Sequence, residues 1–147
     1  MRHSAIAIGL CALFASTAGL AQGVSTAAEA TAEFDQTMQS GLKAGTQEDA
    51  MMCAGYWLGL KEIHAVSTEV PFWRQLPTRL NAETADLGHQ CWAAVVREIF
   101  KDDSSQLEAA GNRVFEYRQQ MIQRVVDAES SGQITGVFSV LGACIPE

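Results

Sequence analysis

Cysteine and histidine are the side chains through which a small acidic protein most readily ligates a metal, exchanges a disulfide or activates a nucleophile. Beyond its first 21 residues the chain offers Cys53, His64, His89, Cys91 and Cys144. His89 and Cys91 are two apart, which on a helix turns them about 200° from one another, so they cannot share an ion. His64 falls on one stripe with Cys53, but two ligands are fewer than the four of a structural zinc site. No metal site is expected. A C-x-x-C pair, the spacing that most readily depresses a thiol pKa, is absent, and so is the C-x-x-C-H of covalent haem. Met38, Met51, Met52 and Met121 could each be an axial ligand beside a histidine, yet methionines at such positions read as core filler, and no cofactor is expected. Hydrolysis would need a nucleophile, a base and an orienting group that converge. Two histidines on different helices, without a Gly-x-Ser-x-Gly turn, give no reason for that, so the chain does not read as an enzyme.

The elements that position these residues follow from periodicity. Apolar residues recur at helical spacing almost throughout, and alternating runs are scarce. A first helix is expected from Ala28 to Ala44, with Thr31, Phe34, Met38 and Leu42 on one face and Gly45 as its stop. Thr46 caps a second helix that runs to about Val66, and Asp49 sits at the third position of a capping box. Its buried stripe is Met52, Tyr56, Gly59, Leu60 and Ile63. A third, from about Arg79 to Phe100, should bury Leu80, Leu87, Cys91, Val95 and Ile99. A fourth starts near Asp102 or Ser104 and ends at Ser130-Ser131-Gly132, burying Leu107, Val114, Phe115, Ile122, Val125 and Val126. Its charges, Glu108, Glu116, Asp127 and Glu129 among Arg113, Arg118 and Arg124, read as a solvated face. A short fifth, Ile134 to Ala143, carries Val137, Phe138 and Leu141. The fold class is therefore all-α, a single small bundle of four main helices plus a short C-terminal one.

The first residues, MRHSAIAIGLCALFASTAGLAQG, have a basic start, an apolar run from Ala5 to Ala15 and then small residues, the pattern of a secretory signal peptide. Cleavage is expected after Ala21, with Ala18 and Gly23 as alternatives, giving domains of 1–21 and 22–147. Cys11 would leave with the signal. The apolar run is shorter than the roughly 20 residues of a membrane span, so no stable membrane insertion is expected after cleavage. Removing 21 of 147 residues leaves 126, with nine Lys and Arg against 17 Asp and Glu. Such a balance repels phosphates and argues against nucleic acid as a partner.

Three cysteines then remain in an oxidising compartment, which predicts one disulfide and one spare thiol. If the second and third helices are antiparallel neighbours, Cys53 and Cys91 stand at nearly the same height, and this is the favoured pair. Cys144 is the alternative partner, because a short fifth helix returning along the bundle would also bring it to mid-height.

Between the second and third helices, Pro71-Phe72-Trp73-Arg74-Gln75-Leu76-Pro77 combines Trp and Arg, which are enriched at binding hot spots, with a proline at either end. Phe72, Trp73 and Arg74 are the expected partner-binding residues; the same loop could instead be a hydrophobic lid on the bundle. Gly55 and Gly59 lie mid-helix, where each costs about 1 kcal/mol relative to alanine, so something must approach closely there. Trp92 is the expected guest.

The segment Cys53-Ala54-Gly55-Tyr56-Trp57-Leu58-Gly59 resembles the C-x-G-Y-x-x-G segment of Rap/Tai-type periplasmic immunity proteins, which neutralise type VI secretion effectors. That resemblance implies a disulfide-stapled helical binder without enzymatic activity. Together these features lead to the expectation of a small exported protein, periplasmic in a Gram-negative cell, that binds another protein. Thiol-redox or metal handling, resting on the spare cysteine and His64, and an acid- or stress-responsive chaperone, resting on the many carboxylates, are the alternatives.

Overall fold

The computed structural model describes residues 23–146; the expected signal peptide and Cys11 lie outside the described residues. Among the described residues six α-helices follow one another: α1 (Ala27–Gln39), α2 (Gln47–Val66), α3 (Pro71–Arg74), α4 (Ala82–Ile99), α5 (Ser104–Ser131) and α6 (Val137–Ala143), with a 3₁₀ turn at Thr78–Leu80 before α4. No strand forms among the described residues, only an isolated antiparallel bridge between Val24 and Ile134. The fold is all-α, and no helix among the described residues is long and apolar enough to cross a membrane.

Helix starts obey local chemistry. Thr46 Oγ1 accepts from the Asp49 amide at 3.0 Å, and the Asp49 carboxylate accepts in return from the amides of Thr46 and Gly45. Thr26 and Glu29 build a second capping box on α1, while Asn81 and Asp103 cap α4 and α5. The first stop differs from expectation. α1 ends at Gln39 because Gly41, not Gly45, takes the left-handed conformation (φ 73°) that turns the chain out of the helix. α4 begins at Ala82 rather than Arg79, since the 3₁₀ turn leads into the Asn81 cap.

α2 is the hub. Eleven of its 20 residues are buried, on all sides of the helix, because α4 and α5 both lie against it and α6 touches it as well. The α4 register is set by Lys61 Nζ donating to Asp86 Oδ1 at 2.5 Å and by His89 Nδ1 bonding the Ala54 carbonyl at 2.9 Å. Rising numbers on α2 thus meet falling numbers on α4, and the two are antiparallel. The groove at Gly55 and Gly59 holds α5, not Trp92. A Cβ on Gly55 would lie 2.5 Å from the Val114 carbonyl oxygen and 2.6 Å from Tyr117 Cβ, and one on Gly59 would meet Met121 Sδ at 2.9 Å. Two further close approaches fix the remaining helices. Gly88 of α4 receives the Trp57 indole, and Gly142 of α6 lies against the Phe34 carbonyl of α1.

The outer helices bury less than their periodicity promises. On α4, Leu80 just upstream is fully buried, but Leu87 is 55% exposed, Val95 41% and Ile99 36%, and Cys91 is exposed. On α5, Phe115 and Val126 are exposed, and Ala110, Tyr117 and Met121 are the buried residues. The reason is common to both: each helix packs chiefly against α2 and makes few contacts with any other element, so most of its circumference stays uncovered.

Gly55→Ala should destabilise the protein by about 1–2 kcal/mol in urea unfolding, because the overpacking cost exceeds the gain in helix propensity. Gly111→Ala, mid-α5 with nothing within 4 Å of a new Cβ, should stabilise by up to about 1 kcal/mol. Equal behaviour of the two variants would contradict the α2–α5 contact.

Candidate functional site

Cys53 pairs with Cys144 across 91 residues, with a Cα–Cα distance of 5.3 Å. The favoured pairing with Cys91 is therefore corrected. The height argument holds, since the α2–α4 register brings Cys53 and Cys91 level, but Cys53 turns toward α6 and Cys91 turns outward. Both cysteines of the bridge are fully buried. The carbonyl of Cys144 also accepts two indole N–H groups, from Trp57 on α2 at 2.9 Å and from Trp92 on α4 at 2.8 Å. Trp92 is thus engaged at the C-terminal segment and not at the glycine groove.

Beside this junction lies an apolar cleft of about 320 Å³ between α1, α4 and the segment after α6. Phe34 and Met38 form one wall, Leu87, Gly88 and Cys91 the other, Trp57 its floor, and Ile145 and Pro146 close one end. At the rim Arg79 donates twice to Asp35, at 2.9 Å and 2.5 Å, which ties the entry to α4 to α1. The volume is at the low end of ligand pockets, and a half-exposed Met38 and Leu87 leave the cleft open to a protruding side chain. Cys91 is the one free cysteine among the described residues, and its thiol lines this wall.

The three residues expected to meet a partner are divided. Trp73 is 6% exposed, edge-on to His64 at 5.8 Å and to Phe72 at 4.9 Å, while Phe72 leans on Phe138 at 6.0 Å. Only Arg74 points outward, so Pro71–Arg74 is a hydrophobic lid rather than a displayed aromatic patch. The histidines serve as crosslinks: His64 Nε2 bonds the Leu80 carbonyl at 2.8 Å, and His89 bonds Ala54. Among the described residues, no three His, Cys, Asp or Glu side chains come together as a metal-ligand group.

Two polar clusters lie elsewhere. Arg113 donates to Glu48 at 2.7 Å and to Glu116 at 2.6 Å, and the Tyr117 hydroxyl donates to the same Glu48 carboxylate. Burial pushes Tyr117 above its ordinary pKa and the bond to Glu48 adds to that. Burial also raises Glu48, but the bonds from Tyr117 and Arg113 outweigh it and hold the carboxyl below its usual range. The proton accordingly stays on the phenol and the charge on the carboxylate, an arrangement that joins α2 to α5. The second cluster is Glu33, 9% exposed between α1 and α6: its Oε1 accepts from the Ser139 amide at 3.3 Å, and its Oε2 has no partner. Burial pushes its pKa up.

With this geometry in view, the chain matches no protein-family model, no curated protein and no solved structure.

The cleft was not legible from sequence, because it is built from Phe34 and Met38 on α1 and from Leu87 and Cys91, which periodicity assigns to the core. A clue to its exposure lay in α4 itself, whose apolar arc is wider than one neighbouring helix can cover.

N-ethylmaleimide without reductant should label the folded protein at Cys91, located by peptide mapping, and leave Cys53 and Cys144 unlabelled. Labelling of Cys144 instead would refute the pairing. A raised folded-state pKa means that Glu33 penalises folding when ionised, and the penalty is relieved as pH falls through that value. Any stability advantage of Glu33→Gln over the wild type in urea should be largest near pH 8 and shrink toward pH 4. A difference constant with pH would show that Glu33 ionises as freely as in the unfolded chain.

Proposed function

We propose that this is a non-enzymatic helical protein of the inhibitor, immunity or adaptor type, exported and periplasmic in a Gram-negative cell, which binds another protein. The observation that carries the reading is the open apolar cleft of Phe34, Met38, Trp57 and Leu87, bordered by the stapled junction at Cys144. A rigid, apolar, partly exposed pocket with an ion pair at its rim suits the anchor side chain of a protein partner, since hot spots are buried anchors ringed by polar contacts. The Cys53–Gly59 resemblance to Rap/Tai-type immunity proteins agrees with this reading. So does the acidic charge, which would favour a basic partner surface.

The Cys91 thiol in the cleft wall favours one second reading, capture by thiol–disulfide exchange. In that case the Cys91 thiolate attacks a partner disulfide, forms a mixed disulfide and releases the other sulfur as a thiolate.

Affinity capture from a periplasmic extract separates the two. Met38→Glu should weaken recovery of a partner about 10- to 100-fold, the loss typical of a hot-spot contact. Arg74→Ala should leave recovery unchanged, as should Cys91→Ser. Loss of capture in Cys91→Ser alone would install the exchange reading, and retention in Met38→Glu would overturn the cleft.

A further inference from the structure

The apolar cleft accounts for only part of the uncovered surface of α4. Leu87, Cys91, Ala94 and Val95 are all exposed, and at about 100° per residue they occupy one arc roughly 100° wide. This stripe extends a full turn beyond the cleft, whose lining includes Leu87 and Cys91 but not Ala94 or Val95. We propose that it is covered by the same stripe of a second copy of the chain, the two α4 helices running antiparallel about a twofold axis at Cys91.

The stripe is self-complementary in that arrangement. A twofold axis at Cys91 sets Cys91 opposite Cys91 and places Leu87, four residues before it, against Val95 of the second copy, four residues after. Each contact then occurs twice. The charges flanking the stripe supply the direction. Glu83 and Arg97 are exposed, and neither side chain has an ion pair or hydrogen bond within the described residues. Around α4 they lie within about 40° of each other, on one flank of the stripe. Glu83 is eight residues before Cys91 and Arg97 six after it, so antiparallel packing brings Glu83 of one copy within about 3 Å, along the axis, of the level of Arg97 of the other. The axis keeps that flank on the same side in both copies, and two intermolecular ion pairs result. A parallel twofold pair would instead put the two flanks on opposite sides of the interface, where neither ion pair forms. Glu98, at the end of the stripe, is already neutralised by Lys101 at 2.5 Å. Antiparallel helix dipoles add to the preference.

The stripe shares Leu87 and Cys91 with the cleft, so a second copy and a cleft-bound partner would compete. The two proposals are told apart by Val95→Glu, outside the cleft, and Met38→Glu, outside the stripe. Sedimentation equilibrium across the micromolar range should show a dimer. Val95→Glu, outside the cleft, should raise the dissociation constant at least about tenfold, with the helical circular-dichroism spectrum unchanged. Arg97→Glu should weaken the dimer as well, and Glu83→Arg combined with Arg97→Glu should restore it, an outcome that misfolding cannot mimic. A short bismaleimide should join two copies through Cys91 in the wild type and not in Val95→Glu. A monomer at every concentration would overturn the proposal. So would a dimer that ignores both Val95→Glu and Arg97→Glu, or one in which the charge swap fails to rescue.

Discussion

The residue on which the architecture turns is Cys144. Its sulfur is bonded to α2 through Cys53, and its carbonyl oxygen takes an indole N–H from α2 and another from α4. A carbonyl has two acceptor lone pairs, and here both are used by tryptophans on different helices. Each such bond contributes about 1 kcal/mol net, and a buried indole left without its partner would cost more than that. The short α6 buries its residues almost completely yet has only seven of them, too few to hold a place by helix propensity. It holds its place because this junction fixes its end and Gly142 lets it close on α1.

Around that junction the molecule trades intrinsic helix stability for proximity. α2 carries two glycines, and α4 and α6 one each, where helix propensity disfavours them. In return a backbone, an indole or a methionine fills the space. α2 could not otherwise have accepted α4, α5 and α6 at once. The consequence for function is that α4 and α5 are covered mainly on the side that faces α2. The free sides of α4 and α1 are what leave an apolar cleft beside a rigid floor.

How much of this could be read from the residues varies with the kind of information needed. Caps were legible at Thr46 and Asp49 because they depend on four consecutive residues. The helical class and the buried Val137, Phe138 and Leu141 followed from periodicity. Azimuth was not legible. Cys53 and Cys91 stand level, yet periodicity cannot say which way each turns once two helices flank α2, and the bridge went to Cys144. The same loss of information put Leu87 and Val95 in the core and left Trp73 open between a displayed residue and a lid. One signal was available and unused: Gly55 and Gly59 on α2 have the same four-residue spacing as Tyr117 and Met121 on α5, the side chains that fill the gaps. The open cleft was beyond reach, since it is a shape made by three segments and no single segment encodes it.

The order of the cysteines along the chain shapes how the staple comes to be made. A chain is synthesised from its N-terminus, so Cys53 and Cys91 are both present before Cys144 is made. The two early thiols stand level in the finished fold, and an oxidant acting early would join them. That bond would commit α4 to the wrong face of α2 and leave Cys144 without its partner. Where the thiols oxidise in that order, the Cys53–Cys144 bridge depends on delay, or on reshuffling of the early bond by thiol–disulfide exchange.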